Sequence, residues 1–189
     1  MKIIFAIFFL FFFNNSFTQT KYTSHFGFGF GLNTSKINVD DVLIKNSYKN
    51  GFDMIFYFHK QFEKKILVAS GINFSFNNYL FKGKNNEINI KYKKVSIPII
   101  FEYIPFNKLP VGVGLGPEIS ISSDNFSLLP ILNDRFKPIN SSIILVVNYA
   151  IPIKNITIKP QISYERTISN FFKQSNAYKS TYNLTLVVF

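Results

Sequence analysis

The segment HFGFGFGLN, residues 25–33, alternates phenylalanine with glycine until Leu32 closes the run. In an extended strand successive side chains point to opposite faces. Phe26, Phe28, Phe30 and Leu32 then share one face, while Gly27, Gly29 and Gly31 share the other. Bulk on one side and bare backbone on the other suit a wall between an apolar medium and a narrow interior.

The same period of two runs along the chain. It recurs in segments 51–60, 65–77, 91–103, 111–122, 141–151, 155–166 and 179–189. Phe52, Met54, Phe56 and Phe58 align in the first of these, and Val95, Ile97, Ile99, Phe101 and Tyr103 in the third. With the opening segment this makes eight strands, each close to the roughly 9–11 residues that a tilted membrane strand needs. The connections are long (34–50), short (61–64), long (78–90), short (104–110), long (123–140), short (152–154) and long (167–178). Strict alternation belongs to an up-and-down barrel in an outer membrane, with long loops outside and tight turns in the periplasm. A soluble barrel of the lipocalin type would turn Gly27, Gly29, Gly31, Gly112, Gly114 and Gly116 to solvent, where they make a poor surface. The expected fold is all-β, an eight-stranded antiparallel transmembrane β-barrel.

The start, MKIIFAIFFLFFFNNSFTQ, has one basic residue, an apolar run over 3–13 and a small-residue exit. The run is shorter than the roughly 20 residues of a spanning helix and matches the core of a signal peptide. Residues 1–18 are expected to be cleaved, with Ser16 and Thr18 before the cut, and 19–189 to form the barrel. The chain has no cysteine, so neither disulfides nor a cysteine-borne lipid anchor is expected. Loss of 1–18 removes only Lys2, leaving 20 basic against 10 acidic residues. In an exported chain that balance points to an anionic surface rather than to nucleic acid.

Two segments, VSIPIIFEY (95–103) and VGVGLGPEISI (111–121), together with the strand-terminal Phe189, resemble the PorT-like outer-membrane β-barrel domain, similar in architecture to small OmpA/OmpX-type barrels. The resemblance spans the whole chain after the signal peptide. It implies location and fold, and a link of the founding type to secretion and surface display; it implies no catalytic signature. The last strand departs from the pattern, because Phe189 shares a face with Asn183 and Thr185. Pro98, Pro117 and Pro160 fall inside strands, where a missing N–H breaks the ladder, so local bulges are expected there.

The parity opposite the apolar face carries Asp53, His59, Asn73, Lys94, Glu102, Glu118, Asn148, Lys159, Gln161 and Glu165. Carboxylates among lysines suit either an acid–base site or a lumen plug of paired charges. An eight-stranded barrel is filled by its own side chains, which favours a structural plug of Asp53, Lys94, Glu102, Glu118, Lys159 and Glu165. Glu102 and Glu118 are expected to share one cation, with Lys159 across from them. No catalytic, cofactor or metal residues are expected: no serine stands in G-x-S-x-G, and His25 and His59, the only histidines, make a poor metal set. GFGFG and GVGLG fail the dinucleotide pattern. Lys82, Lys84, Lys91 and Lys93 form the densest basic cluster, placed to meet lipopolysaccharide phosphates at the outer rim. Tyr79, Phe81, Tyr92, Tyr103, Phe106, Tyr149 and Tyr164 are expected in the interfacial girdles. The function this suggests is structural, adhesive or envelope-assembling and non-enzymatic, exercised through outer-membrane lipid and loop-bound envelope proteins. A small-solute channel and a lipid-modifying enzyme are the alternatives.

Overall fold

The computed structural model describes residues 24–39, 45–82, 87–106, 109–123, 139–169 and 177–189. The proposed signal peptide, 1–18, lies outside them. The described elements are β1 (Ser24–Val39), β2 (Lys45–Ser47), β3 (Lys49–Glu63), β4 (Ile66–Lys82), β5 (Glu87–Tyr103), β6 (Val111–Ser123), β7 (Ile139–Tyr149), β8 (Ile151–Ile153), β9 (Ile156–Thr167) and β10 (Ala177–Val188). β2 prolongs β3 beyond Tyr48, and β8 prolongs β7 beyond Ala150, so the wall has eight strands. All neighbours are antiparallel, and β10 pairs with both β9 and β1. That second pairing closes the sheet and leaves no long edge for another chain to join.

The closure has a definite stagger. Following paired residues around the wall from Ser24 through Lys60, Val68, Phe101, Leu115, Leu145, Tyr164 and Tyr182 returns to β1 at Thr34, ten residues further on. Ten residues of rise over eight inter-strand spacings tilt the strands by roughly 40°. Such a barrel is just wide enough for side chains to fill.

Side-chain exposure alternates with the backbone pleat. Phe26 is 78% exposed and Leu32 69%, while Asn33, the next residue along β1, is buried. On β7 the alternation is unbroken from Ile139 to Tyr149. The outward face carries Phe, Ile, Leu and Val on every long strand; the inward face carries most of the buried Ser, Asn, Glu and Lys. An apolar exterior around a polar interior reverses the pattern of a soluble domain and requires a bilayer outside it.

Several local features differ from the sequence reading. β4 and β5 run to Lys82 and from Glu87, so most of the long connection expected over 78–90 is strand. At the other end, β3 and β4 turn at 64–65 and β8 and β9 turn at 154–155, where Lys154 takes φ 51°. A positive φ suits the primed turns that match strand twist.

The prolines produce no bulge. The register is the same on both sides of Pro98 and Pro117, with the pairing merely interrupted there, and Pro160 pairs with Leu186 in an unbroken ladder. The one register shift among the described pairs lies at Gln61/Glu63, beside a turn. Two adjustments absorb the prolines: Ser70 Oγ donates to the Pro98 carbonyl at 2.9 Å, and Gly116 lets the Ile99 carbonyl come where a Cβ would stand.

If the parity is as described, Phe56→Arg or Leu115→Arg places a charge against lipid and should cost about 2–4 kcal/mol near the midplane. Urea unfolding in vesicles measures this, with Thr34→Arg at the upper edge as the tolerated control. Equal tolerance at all three positions would reverse the faces.

Candidate functional site: the barrel lumen

The lumen is built from the inward parity of eight walls, and its polar groups fall into two layers. In the layer nearer the tight turns, Lys159 Nζ on β9 donates to Glu102 Oε2 on β5 at 2.7 Å. Asn148 Nδ2 on β7 donates to the same oxygen at 3.1 Å, and His59 Nε2 on β3 lies 3.7 Å from Glu102 Oε1. The floor below them is Phe189. Its ring centroid is 4.4 Å from that of His59 and 6.0 Å from Lys159 Nζ.

The layer nearer the long loops is a four-membered ionic chain. Lys94 Nζ on β5 donates to Glu118 Oε1 on β6 at 2.5 Å and to Glu165 Oε2 on β9 at 2.8 Å. Lys179 Nζ on β10 approaches Glu165 Oε1 at 2.9 Å, and Ser142 Oγ on β7 donates to that oxygen at 3.0 Å. Two positive and two negative groups from four walls thus brace the barrel across its width. Charges taken from water survive only when paired and hydrogen-bonded in this way.

An apolar layer separates the two. On β5, Ile100 stands between Glu102 and Lys94; on β7, Ile144 and Val146 stand between Asn148 and Ser142; on β3, Ile55 and Tyr57 stand between His59 and Asp53. These residues form one buried cluster with Ala69 and Val187, against which Phe189 packs. Gln161 Nε2 donates to the Tyr57 hydroxyl at 3.0 Å. On β9 polar residues pass through this level: Gln161 and Ser163 stand between Lys159 and Glu165, and Asn183 Nδ2 donates to Ser163 Oγ at 3.1 Å.

The glycines that opened the sequence have a role in this packing. A Cβ on Gly27 would meet the Phe189 ring, and one on Gly29 would fall 2.9 Å from Ile55 Cγ2. Gly112 and Gly114 make the same room for Asn148 and Ile100. Bare backbone on the inner face therefore lets large side chains from the facing walls meet.

All ten inward residues singled out above are buried. They are not brought together as one cluster. Glu102 and Glu118 do not share a cation: Lys159 serves the first and Lys94 the second. Asp53 joins neither ionic chain; Asn33 Nδ2 donates to its Oδ1 at 3.0 Å. Lys179 was missed, although it lies on the same parity as Thr181 and Thr185, which the alternation of 179–189 already marked as inward. Phe189 also keeps that parity and turns into the lumen, so the last strand is regular.

The girdle expectation needs a correction. Tyr79 and Tyr92 are buried inside, with ring centroids 5.7 Å apart, because β4 and β5 continue their alternation above the membrane level. Tyr103, Phe106 and Tyr149 are exposed toward the turn end, and Tyr164 is half-buried near Tyr182 toward the loop end. The side chain of Phe81 lies outside the described residues. Lys91 and Lys93 are exposed on the outer face of β5; Lys82 belongs to β4, its side chain undescribed, and Lys84 lies outside the described residues. His25 is exposed at the turn-end rim.

No family model and no curated protein sequence matches the chain. Solved structures do. Neisserial surface protein A superposes with a TM-score of 0.51 at 15% identity, covering 88% of this chain and 98% of its own. The outer membrane protein OprG from Pseudomonas aeruginosa superposes with a TM-score of 0.52 at 13% identity, covering 87% and 95%. The chain has the fold of small outer-membrane β-barrels. With its apolar exterior, that fold places it in the bacterial outer membrane.

Removing one partner of a buried pair leaves the other charge unpaired, at a typical cost of about 3–5 kcal/mol. Lys159→Met and Lys94→Met should each lower the urea midpoint of the folded barrel in vesicles. Loss of Lys94 removes a bond from two glutamates, leaving Glu118 without a cation and Glu165 with Lys179 alone, and should cost more than loss of Lys159. An unchanged midpoint in both variants would mean that these lysines do not pair in the membrane.

Proposed function

We propose that this chain is a non-enzymatic, non-conducting outer-membrane barrel that acts through its loop-end surface, in adhesion or in assembly of the envelope. The observation that carries the reading is the filled lumen: side chains of the facing walls meet inside it, with two ionic layers and the buried cluster of Ile55, Tyr57, Ile100, Ile144 and Val146 between them. The polar side chains of β9 that pass this level, Gln161 and Ser163, are engaged with Tyr57 and Asn183, so an ion entering there would lose its hydration and break existing bonds, which costs several kcal/mol. The small-solute channel is the weaker reading for this reason.

The lipid-modifying enzyme is weaker still. Glu102, Glu118 and Glu165 each accept from a lysine, so none stands as an unengaged general base, and His59 lies beneath the lumen filling instead of at the lipid interface. Membership of the PorT-like group is part of the proposal and rests on 95–103, 111–121 and the terminal Phe189. Loop deletions over 124–138, followed by co-purification from native membranes, identify envelope partners.

Planar-bilayer recording tests the reading directly. The refolded protein should give no stepwise current above the bare membrane, whereas Ile100→Gly with Val146→Gly, which empties the apolar layer, should open measurable events. Reproducible steps from the unaltered protein would overturn the non-conducting assignment.

A further inference from the structure

The outer face of β9, β10, β1 and β3 changes character from the midplane to the loop end. Its ladder rows can be followed upward. Phe30, Leu186 and Pro160 form one row, and Leu32, Leu184 and Ile162 the next. Thr34, Tyr182 and Tyr164 follow, and above them Lys36 and Arg166 stand on either side of Ser180, which is itself buried between them. The sequence along the wall is apolar, then hydroxyl-bearing aromatic, then cationic.

The two lower rows border a groove of about 570 Å³ in the lipid-facing surface, lined mostly by apolar residues (Phe30, Leu32, Phe52, Leu184, Leu186 and Pro160), with the inward-parity Asp53 and Thr185 also on its lining. Gly31 lies at its floor.

The tyrosine row is held by ring contacts. Tyr182 lies 5.0 Å from Tyr164 and 6.2 Å from Tyr48, and the Tyr164 hydroxyl is 3.4 Å from Ser180 Oγ. The cations rest on rings as well: Lys36 Nζ lies 5.6 Å from the centroid of Tyr48, and the Arg166 guanidinium 5.8 Å from that of Tyr178. Stacking on a ring face orients a cation while leaving N–H donors open to an anion. Lys36 and Arg166 flank Ser180 on adjacent strands, so their Cα atoms stand about two strand spacings apart, roughly 10 Å. Among the described outward residues of these walls at that level there is no carboxylate to neutralise them.

We propose that this wall binds one phosphorylated glycolipid of the outer leaflet, a lipid A-type molecule. A phosphate sits between Lys36 and Arg166 over Ser180, the sugar lies on the Tyr182 and Tyr164 rings, and an acyl chain fills the groove over Gly31. The occupant follows from position and charge. The cations lie at the loop end of the barrel, which faces the outer leaflet, and the phosphorylated lipid of that leaflet joins an anionic head to several chains. Lys91 and Lys93 on β5 have the charge, but the rings beside and beneath Lys93, Phe76 and Phe74 on β4, carry no hydroxyl. The proposal rests on the outer-membrane location and is independent of whether the lumen conducts.

Native mass spectrometry of the refolded barrel in detergent, with diphosphoryl lipid A as probe, tests it. Heat-modifiable gel migration is checked first, so that failure to form a barrel is seen separately from failure to bind. The unaltered protein should retain one lipid A. Its apparent affinity should fall at least tenfold in Lys36→Gln/Arg166→Gln and stay within about twofold in Lys64→Gln/Lys154→Gln, two exposed lysines at the turn end. In the unaltered protein, dephosphorylated lipid A should bind at least tenfold more weakly than the diphosphoryl form, a comparison that needs no variant. Phosphatidylglycerol should not compete at equal concentration. Equal retention by Lys36→Gln/Arg166→Gln, indifference to the phosphates, or effective competition by phosphatidylglycerol would each overturn the assignment.

Discussion

Closure of the hydrogen-bond ladder between β1 and β10 is the constraint on which the rest of this molecule depends. Inside hydrocarbon a backbone amide without a partner costs several kcal/mol, so a sheet can cross only if its two edges meet. Here they meet with a ten-residue stagger, which sets the tilt and thereby the radius. The radius in turn leaves room inside for side chains and for little else. The lumen composition follows from this geometry. Residues turned outward must be apolar, so polar groups go inward, and charges in a filled interior must find one another.

The lumen solves that problem by separating its charges into two neutralised layers. Glu102 with Lys159 closes the turn end, and Glu118, Lys94, Glu165 and Lys179 close the loop end. Each bond joins different walls, so the network resists ovalisation of the barrel as well as entry of water. The glycines are part of the same solution. Phe189 and Ile55 fit because Gly27 and Gly29 carry no Cβ; a residue that looks like an absence of information in the sequence is the complement of a large residue from a facing wall.

Much of this architecture is legible in the amino-acid sequence. Period-two alternation assigns a face to every residue of a strand, so Phe28 and Ile99 were placed outward and Glu118 and Lys159 inward from the pattern alone. What the pattern lacks is reach and register. Tyr79 and Tyr92 were assigned to the girdle because they sit near strand ends, yet parity had already marked them inward once β4 and β5 were allowed to extend. The partner of each glutamate depended on stagger, which no single strand encodes. The Lys36–Ser180–Arg166 row joins residues far apart in sequence and comes together only through closure. The prolines misled in a different way: a bulge is one response to a missing N–H, but Ser70 and Gly116 supplied a smaller one.

The most direct test of this account asks whether the first and last long strands meet in the stated register. The chain contains no cysteine, so a pair can be introduced cleanly. Leu32→Cys with Leu184→Cys places two thiols on directly paired outward positions, whereas Leu32→Cys with Val188→Cys displaces one of them by four residues along the strand. A short bifunctional thiol reagent applied to the folded barrel should link the first pair within one chain, visible as a gel-mobility change on unfolding, and leave the second unlinked. Efficient linking of the displaced pair, or of neither, would contradict the closed barrel with this stagger.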